Sequence, residues 1–116
     1  MQKELSLSDY YNHRSFMASV HEKLKEIHPD TYCITAIDIE HFRLFNKMYG
    51  RDAGNQLIYS IISVIWQAAS SHDGISGYFG ADNFALFLPD DSTLINSLRE
   101  QIIRQIQNFH ASSGFY

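Results

Sequence analysis

The chain has 116 residues, of which 45% are hydrophobic and 14% aromatic, so it can bury one sizeable core and is interpreted as a single domain. Its formal net charge of −4 argues against a nucleic-acid-binding surface, which needs clustered Lys and Arg. The single cysteine, Cys33, excludes an intrachain disulfide, which is typical of a reducing cytosol, and no apolar run is long enough to span a membrane.

The first half of the chain predicts a helix, a strand and two further helices. Apolar side chains at helical spacing predict a helix from about Asp9 to Ile27. The apolar run Tyr32–Ile39 predicts a strand, and since both of its faces are mostly apolar, we expect helices on both faces or a central place in the sheet. A short helix is expected to end at Gly50, and after a turn Asn55 is expected to cap a long, largely buried helix.

A β-hairpin is predicted further on, where two apolar flanks enclose the turn Gly80–Asn83. Gly, Asp and Asn in that turn tolerate left-handed backbone angles. The carboxylate of Asp82 then lies at the hairpin tip, and a second acid, Asp38, ends the first strand. If the two strands are neighbours, the two carboxylates converge. The plainer alternatives are that Asp82 is an ordinary turn residue and that Asp38 only caps the following helix.

The last element and the order of the elements predict the fold class. With Ser92 as its N-cap, apolar residues at helical spacing up to Phe109 predict a final amphipathic helix. This order is typical of an α+β fold with a ferredoxin-like antiparallel sheet flanked by helices. Such a sheet normally has another strand after the last helix, and Phe115 and Tyr116 are the candidate start of one. We therefore expect one domain over residues 1–116 that lacks its final strands, with an N-terminal helix in residues 1–30 and a sheet-and-helix core in residues 31–116.

Short motifs occur along the chain at Asn12–Phe16, Asp38–Arg43, Asn46, Gly50, Gly54 and Phe79–Phe84. Together they resemble the GGDEF domain of bacterial diguanylate cyclases. The family pattern runs roughly D-x-D-x-F-K, N, G-H, G-D and then R-Y-G-G-D-E-F, with N-R-x-x-F in its N-terminal helix. The likeness covers nearly the whole chain and implies the nucleotidyl-cyclase-like fold of that family.

The resemblance implies a set of magnesium ligands. In the family, two acids and one backbone carbonyl hold Mg²⁺ against the phosphates of GTP, because hard oxygen ligands suit that ion. The matching positions in this chain are Asp38, the carbonyl of Ile39, and Asp82. In the family each domain holds one GTP, so cyclic di-GMP synthesis requires two domains face to face, which implies a homodimer.

The resemblance also implies a set of nucleotide contacts. The positions that match the family's guanine-binding residues are Asn46 and Asn55. The positions that match the two signature glycines, at which the backbone approaches phosphate, are Gly80 and Ala81. Where the family has an aspartate that accepts from two guanine N–H groups, Asn55 offers one acceptor oxygen, a mismatch of about 1–3 kcal/mol.

The signature G-G-D-E-F reads Gly-Ala-Asp-Asn-Phe in this chain. Asn83 replaces the signature glutamate and removes a charge from the metal and nucleophile region, so of the family's catalytic positions Asp82 and Asn83 only the first keeps its acid. Ala81 adds a Cβ where the turn favours positive φ, a strain of roughly 1 kcal/mol or more. The window Ser71–Gly74 lacks the arginine of the family's R-x-x-D product site, so feedback inhibition there is not expected.

These departures predict a degenerate GGDEF domain in cyclic di-GMP signalling. We expect it to be catalytically silent or nearly so, to bind GTP with Mg²⁺, and to regulate an EAL phosphodiesterase or sensor domain of the same polypeptide. Two alternatives stay open, an active diguanylate cyclase in which Asp38 and Asp82 suffice for the metal, and an interaction module without a ligand. A cytoplasmic domain is expected, within a protein that could itself be membrane-anchored.

Overall fold

The structure is a computed structural model that describes residues 12–112. The order of its elements confirms the predicted α+β class, with helices packed on an antiparallel sheet of three strands. The helices and strands are α1 (His13–Leu24), β1 (Tyr32–Asp38), α2 (Phe42–Tyr49), α3 (Arg51–Ser71), β2 (Ile75–Gly80), β3 (Asn83–Pro89) and α4 (Ser92–Ser112).

The central strand of the sheet is β3, and both β1 and β2 pair antiparallel with it. Its residues 84–88 are all buried, as expected for a strand covered on both faces. The expectation that β1 is central or covered on both faces is wrong for the described residues. Along β1 the exposed positions Ile34, Ala36 and Asp38 alternate with half-buried ones, and Ile34 is 56% exposed. The apolar character of β1 therefore does not translate into burial on both faces.

The main core lies between α3, α4 and one face of the sheet. Ile58 and Ile61 of α3 are completely buried, and each such side chain contributes about 1.5–3 kcal/mol relative to an exposed one. The prediction of a largely buried α3 holds for this face but not for Trp66, which is 62% exposed. The other buried members of this core include Leu57, Ile65, Tyr78, Phe84, Leu86, Leu88, Leu98 and Ile102.

Two helices begin earlier than the sequence predicts. The N-cap of α3 is Gly50, so Asn55 lies inside the helix and does not cap it. Gly50 has φ +91°, an angle that glycine adopts without strain, and it both ends α2 and starts α3. Ser92 is the first residue of α4, and the cap is Asp91, whose Oδ1 accepts from the backbone amides two and three residues later, at 2.9 and 3.3 Å.

The opposite face of the sheet is covered by α1. Its residues Phe16 and Val20 are buried and form a second cluster with Ala85 and Phe87 of β3. The helical spacing predicts that Leu24 shares the apolar face of this helix, but Leu24 ends the helix and is 40% exposed. The first three residues of the predicted helix, 9–11, lie outside the described residues.

A salt bridge fastens the C-terminal end of α1 to the loop between α3 and β2. Lys23 Nζ lies 2.6 Å from Asp73 Oδ2, and only 14% of the lysine side chain is exposed. The hydrogen bond to Asp73 raises the pKa of the Lys23 ammonium group above its ordinary value. The hydroxyl of Tyr32 donates to the carbonyl of Asp73 at 3.0 Å, so the same loop is also connected to the start of β1.

Two expectations about the C-terminal part of the domain lie outside the described residues. Phe115 and Tyr116, the candidate start of another strand, are not described, and neither is the side chain of Phe109. The domain bounds 1–116 therefore stay a prediction. Among the helices of residues 12–112, none combines the length and hydropathy that a membrane span needs.

Candidate functional site

The pairing of β1 with β3 places Asp38 directly opposite Asn83. Paired Cα atoms of an antiparallel sheet lie about 4.5–5.5 Å apart. Asp82 immediately precedes Asn83, so the two acids singled out by the sequence belong to the same end of the sheet. Asp38 is exposed and Asp82 is half-buried, which leaves this end open to a ligand.

The alternative role of Asp38 as a helix cap is wrong. The helix that follows, α2, begins at Phe42 with His41 at its N-cap, and no side chain bonds to its first amides. Ile39, between Asp38 and this helix, is 8% exposed and belongs to the main core. The burial of Ile39 anchors the chain just after Asp38, while the carboxylate of Asp38 stays exposed at the end of the strand.

The hairpin tip is a tight turn whose connecting residues are Ala81 and Asp82. Gly80 and Ala81 have φ of +106° and +49°, which confirms the positive φ predicted for Ala81. A residue with a Cβ in this left-handed region costs about 1–2 kcal/mol. Two hydrogen bonds brace the turn, since Asn83 Nδ2 donates to the Gly80 carbonyl at 3.3 Å and the Tyr78 hydroxyl donates to the Ala81 carbonyl at 2.7 Å.

The amide of Asn83 is suited to this turn in two ways that a carboxylate is not. A carboxylate only accepts hydrogen bonds, so it could not donate to the Gly80 carbonyl as Nδ2 does. An acid at position 83 would also face Asp38 across the strand pair, and like charges directly opposite each other are destabilising. With Asn83 in place, the end of the sheet needs no bound cation to relieve such a repulsion.

Asn46 of α2 packs against Gly54 of α3. A Cβ at position 54 would overlap Asn46 Oδ1 and lie 2.8 Å from Asn46 Cγ, so glycine makes the room that the asparagine occupies. Asn46 Oδ1 is buried and has no hydrogen-bond partner among the described residues. Asn55, the residue after Gly54, is half-buried. The two asparagines that sequence reasoning linked to one ligand therefore belong to the same junction between α2 and α3.

Asp38 and Asp82 at this end of the sheet offer carboxylate oxygens, which are ligands of the kind that Mg²⁺ takes in proteins. Among residues 12–112 there is no group of three or more His, Cys, Asp or Glu side chains that could hold a metal ion. Mg²⁺ usually takes one or two protein carboxylates and completes its coordination with phosphate oxygens and water. Asp38 and Asp82, together with the carbonyl of Ile39, are a donor set of that partial kind.

Two apolar cavities lie beside the site. One of about 380 Å³, between β1 and α4, has Asp38 in its wall. The other, of about 350 Å³, lies between α2 and α4 and has Ile39 in its wall, and Ile106 lines both. Neither cavity is lined by Asn46 or Asn55. The structure thus groups the two acids at the sheet end and the two asparagines at the helix junction, without placing all four in one cavity.

The contacts of Asn12 with β2 and of Lys23 with the loop before β2 were not predicted from the sequence. The side chain of Asn12 bonds to the backbone of β2 across 64 and 66 residues of sequence, and Lys23 pairs with Asp73 across 50. Asp73 lies within the window expected to lack a product site, and the salt bridge gives it a structural role. The only sequence signal for either contact is the likeness of Asn12–Phe16 to an N-R-x-x-F motif.

Comparison with known proteins bears on the family. Residues 6–114 match the family described as "Diguanylate cyclase, GGDEF domain". The chain is 31% identical over 105 residues to the diguanylate cyclase VdcA of Vibrio cholerae. This alignment covers 88% of this chain and 30% of VdcA. It is 22% identical over 111 residues to the probable diguanylate cyclase DgcT of Escherichia coli. That alignment covers 95% of this chain and 24% of DgcT. The chain thus spans less than a third of these relatives.

A solved structure agrees with the fold. The GGDEF domain of DgcB from Caulobacter crescentus, crystallised in complex with c-di-GMP, superimposes with a TM-score of 0.68 at 24% identity. The alignment covers 88% of this chain and 63% of that one. At 24% identity this likeness supports the arrangement of helices and strands. The ligand of this chain must be inferred from its own residues.

Proposed function

The chain belongs to the GGDEF domain family of diguanylate cyclases, and from that premise we propose that it binds GTP with Mg²⁺ but does not convert it to cyclic di-GMP. It acts as a regulatory domain in cyclic di-GMP signalling and controls an EAL phosphodiesterase domain of the same polypeptide. The observation that carries the proposal is the register that sets Asp38 opposite Asn83. One metal-binding acid is kept at this place, and the signature acid across from it is replaced by an amide.

Asp38, Asp82 and the carbonyl of Ile39 hold the magnesium ion in this proposal. Bound Mg²⁺ supplies positive charge that neutralises the triphosphate oxygens. The exposure of Asp38 and the absence of a third acidic or histidine ligand among the described residues both favour an ion shared with phosphates. At the neighbouring turn, the positive φ of Gly80 and Ala81 supports the approach of the backbone to phosphate that the family resemblance implies.

Asn46 and Asn55 contact guanine in this proposal. Asn46 Oδ1 lacks a donor within the described residues, and guanine N1–H and N2–H₂ are donors of the kind it needs. Since this oxygen is buried against Gly54, the contact requires the Asn46 side chain to turn toward the ligand. Asn55 has one amide acceptor where an aspartate would have two oxygens, so its share of the guanine recognition is weaker by about 1–3 kcal/mol. We therefore expect binding that is measurable but weaker than in relatives with the aspartate.

Turnover is lost because of Asn83. Cyclic di-GMP formation requires the 3′-hydroxyl of each GTP to attack the α-phosphorus of the other, with release of pyrophosphate each time. A carboxylate near that hydroxyl can act as metal ligand or proton acceptor. An amide does neither effectively, and the Asn83 amide already donates to the Gly80 carbonyl. Binding and chemistry are thus separated at two adjacent residues, Asp82 and Asn83.

The test is to incubate the full-length polypeptide with GTP and Mg²⁺ and to separate the nucleotides by chromatography. We expect unchanged GTP from the wild type, and cyclic di-GMP from Asn83→Glu, which restores the signature acid. Asn83→Gln is the matched control, since it has the length of glutamate without the charge, and it should stay silent. Accumulation of cyclic di-GMP by the wild type would establish the alternative, an active cyclase in which Asp38 and Asp82 suffice.

A further inference from the structure

Asn12 makes three hydrogen bonds to the outer edge of β2. Its backbone N–H donates to the Tyr78 carbonyl at 3.0 Å, its Oδ1 accepts from the Tyr78 amide at 2.7 Å, and its Nδ2 donates to the Ser76 carbonyl at 3.1 Å. These backbone groups point away from β3, and polar groups on a sheet edge need a partner or water. One residue therefore takes the place of a neighbouring strand along this part of β2.

The position of Asn12 makes this use of its side chain informative. An asparagine just before a helix normally caps it by bonding to the first amides. The Asn12 side chain makes no such bond to α1, although its backbone carbonyl accepts the first helical hydrogen bond from Phe16 at 2.7 Å. Asn12 thus starts α1 through its backbone carbonyl, and it pairs with β2 through its backbone N–H and its side chain. A shift of α1 must therefore move β2 or break these bonds.

Aromatic packing beside Asn12 holds Phe79, the last residue before the turn glycine. The rings of His13 and Phe16 meet Phe79 edge to face, with centroid distances of 4.7 and 5.5 Å. Gly77 makes room for this contact, since a Cβ there would lie 2.8 Å from Phe16 Cδ1 and 2.9 Å from Phe79 Cε1. The first turn of α1 therefore packs against β2 immediately before the hairpin tip.

Phe79 is also the irregular residue of the hairpin. Tyr78 pairs with Phe84 and Gly80 with Asn83, so the register shifts at Phe79 and leaves it outside the pairing. Such a bulge bends its strand and changes the direction of the residues that follow. Asn12 fixes the backbone on one side of the bulge, and the turn begins on the other. The bulge is therefore the mechanical link between α1 and the tip.

We propose that Asn12 is a positioning residue for the ligand site, because its hydrogen bonds hold the bulge at Phe79 and thereby set where the turn Gly80–Asn83 lies relative to Asp38. The placement of the turn is a property of the ligand-free fold. Its effect on nucleotide affinity rests on the proposed function, in which this turn lies against the phosphates. A displacement at the start of α1 reaches the site through one intervening residue, Phe79.

The test compares hydrogen exchange and nucleotide affinity in the full-length polypeptide. Asn12→Ala removes the two side-chain bonds and keeps the backbone bond, so amide exchange in a peptide covering residues 79–84 should become faster by on the order of tenfold. The affinity for Mg²⁺ with GTP should fall about fivefold for the same reason. Asn12→Asp keeps the acceptor for the Tyr78 amide and loses the donor to Ser76. Its exchange rate and its nucleotide affinity should therefore lie between those of the wild type and those of Asn12→Ala.

Lys23→Ala is the matched control, since it loosens the other end of α1 by removing the salt bridge to Asp73. If Asn12 only anchors the helix, both variants lower thermal stability and change the turn equally, and that result would overturn the proposal. Unchanged exchange of the turn in Asn12→Ala would do the same. Should Asn12→Ala fail to fold, Asn12→Asp decides by the same exchange readout. Hydrogen exchange is measured without nucleotide, so it tests this inference whether or not the polypeptide binds GTP. An absence of GTP binding would refute only the proposed function.

Discussion

At position 83 a neutral amide faces the carboxylate of Asp38 across two paired strands. Asn83→Glu puts two like charges opposite each other and removes the donor to the Gly80 carbonyl, so we expect it to lower the free energy of unfolding by about 0.5–2 kcal/mol. In the proposed function Mg²⁺ with GTP lies beside Asp38, so millimolar additions of both should restore part of the loss. Chemical denaturation with and without these additions measures it. Asn83→Gln should lack the charge repulsion and should gain from the additions only as much as the wild type gains. A stability of Asn83→Glu that does not respond to them would contradict the placement of the metal.

Ala81 is held at φ +49° by the hairpin turn. Ala81→Gly should raise the free energy of unfolding by about 0.5–1 kcal/mol, since relief of the left-handed strain exceeds the entropy cost of a glycine. Thermal or denaturant unfolding measures the change. The control is Ala18→Gly on the exposed side of α1, where a helical φ makes the same substitution destabilising by about 1 kcal/mol. Two changes of the same sign would mean that Ala81 is not strained.

Properties of single residues could be predicted from the sequence where a local sequence pattern determines them. The turn propensities of Gly80–Asn83 indicated both the hairpin and the positive φ of Ala81. The strand register places Asp38 at the same end of the sheet as this turn. The bonds of Asn12 to β2 could not be predicted, because they join residues 64 and 66 positions apart and no periodicity encodes them. An asparagine before a helix indicates a cap, and here tertiary contact overrides that preference.

At the scale of elements, the junction of α2 with α3 depends on the fit between Asn46 and Gly54. Gly54→Ala would stabilise an isolated helix by about 1 kcal/mol, but here the new Cβ overlaps the Asn46 amide. We therefore expect a net loss of about 1–3 kcal/mol in the free energy of unfolding, as for other overpacked sites. Denaturant unfolding of the single variant measures it.

The double variant Asn46→Ala with Gly54→Ala is the control for that prediction. Removing the asparagine side chain gives the new Cβ its space, so the double variant should be more stable than Gly54→Ala alone. The coupling between the two positions should be on the order of 1–2 kcal/mol, as for residues in contact. Additive effects would show that the overlap is relieved elsewhere and that Asn46 is not held by Gly54.

The existence and order of the elements followed from periodicity, whereas several of their boundaries and faces did not. The sequence offers Asn55 as a cap, but Gly50 starts α3 because its positive φ lets one residue end α2 and begin the next helix. The apolar residues of β1 predicted burial on both faces, yet Ile34 is exposed because α1, the helix on its face, packs against β2 and β3. Periodicity reports that a face is apolar, and it does not report what covers that face.

At the scale of the whole molecule, the outer edge of β1 has no partner strand among residues 12–112. When residues 1–116 are produced alone, we expect this edge to cause concentration-dependent self-association, which sedimentation velocity measures. Ile34→Lys should reduce it, because a charge on an edge strand opposes strand addition. The control is Trp66→Lys, which removes a comparably exposed apolar side chain from α3. If only the control lowers self-association, the contact runs through α3 and the edge is not its cause.

The spacing of several short motifs was enough to predict the family and the fold class from the sequence. Binding and turnover are properties of the assembled site, since they depend on how Asp38, the hairpin tip and the junction of α2 with α3 are arranged together. The proposal that the domain retains binding and has lost turnover therefore needs a measurement of binding itself.

The most direct measurement is a calorimetric titration of GTP, in the presence of Mg²⁺, into the full-length polypeptide and its Asp38→Ala variant. The wild type should give a saturable heat, and Asp38→Ala should bind at least about tenfold more weakly, because it loses one of the two carboxylates proposed to hold the ion. Absence of heat in the wild type, or equal affinity in the two proteins, would contradict the account.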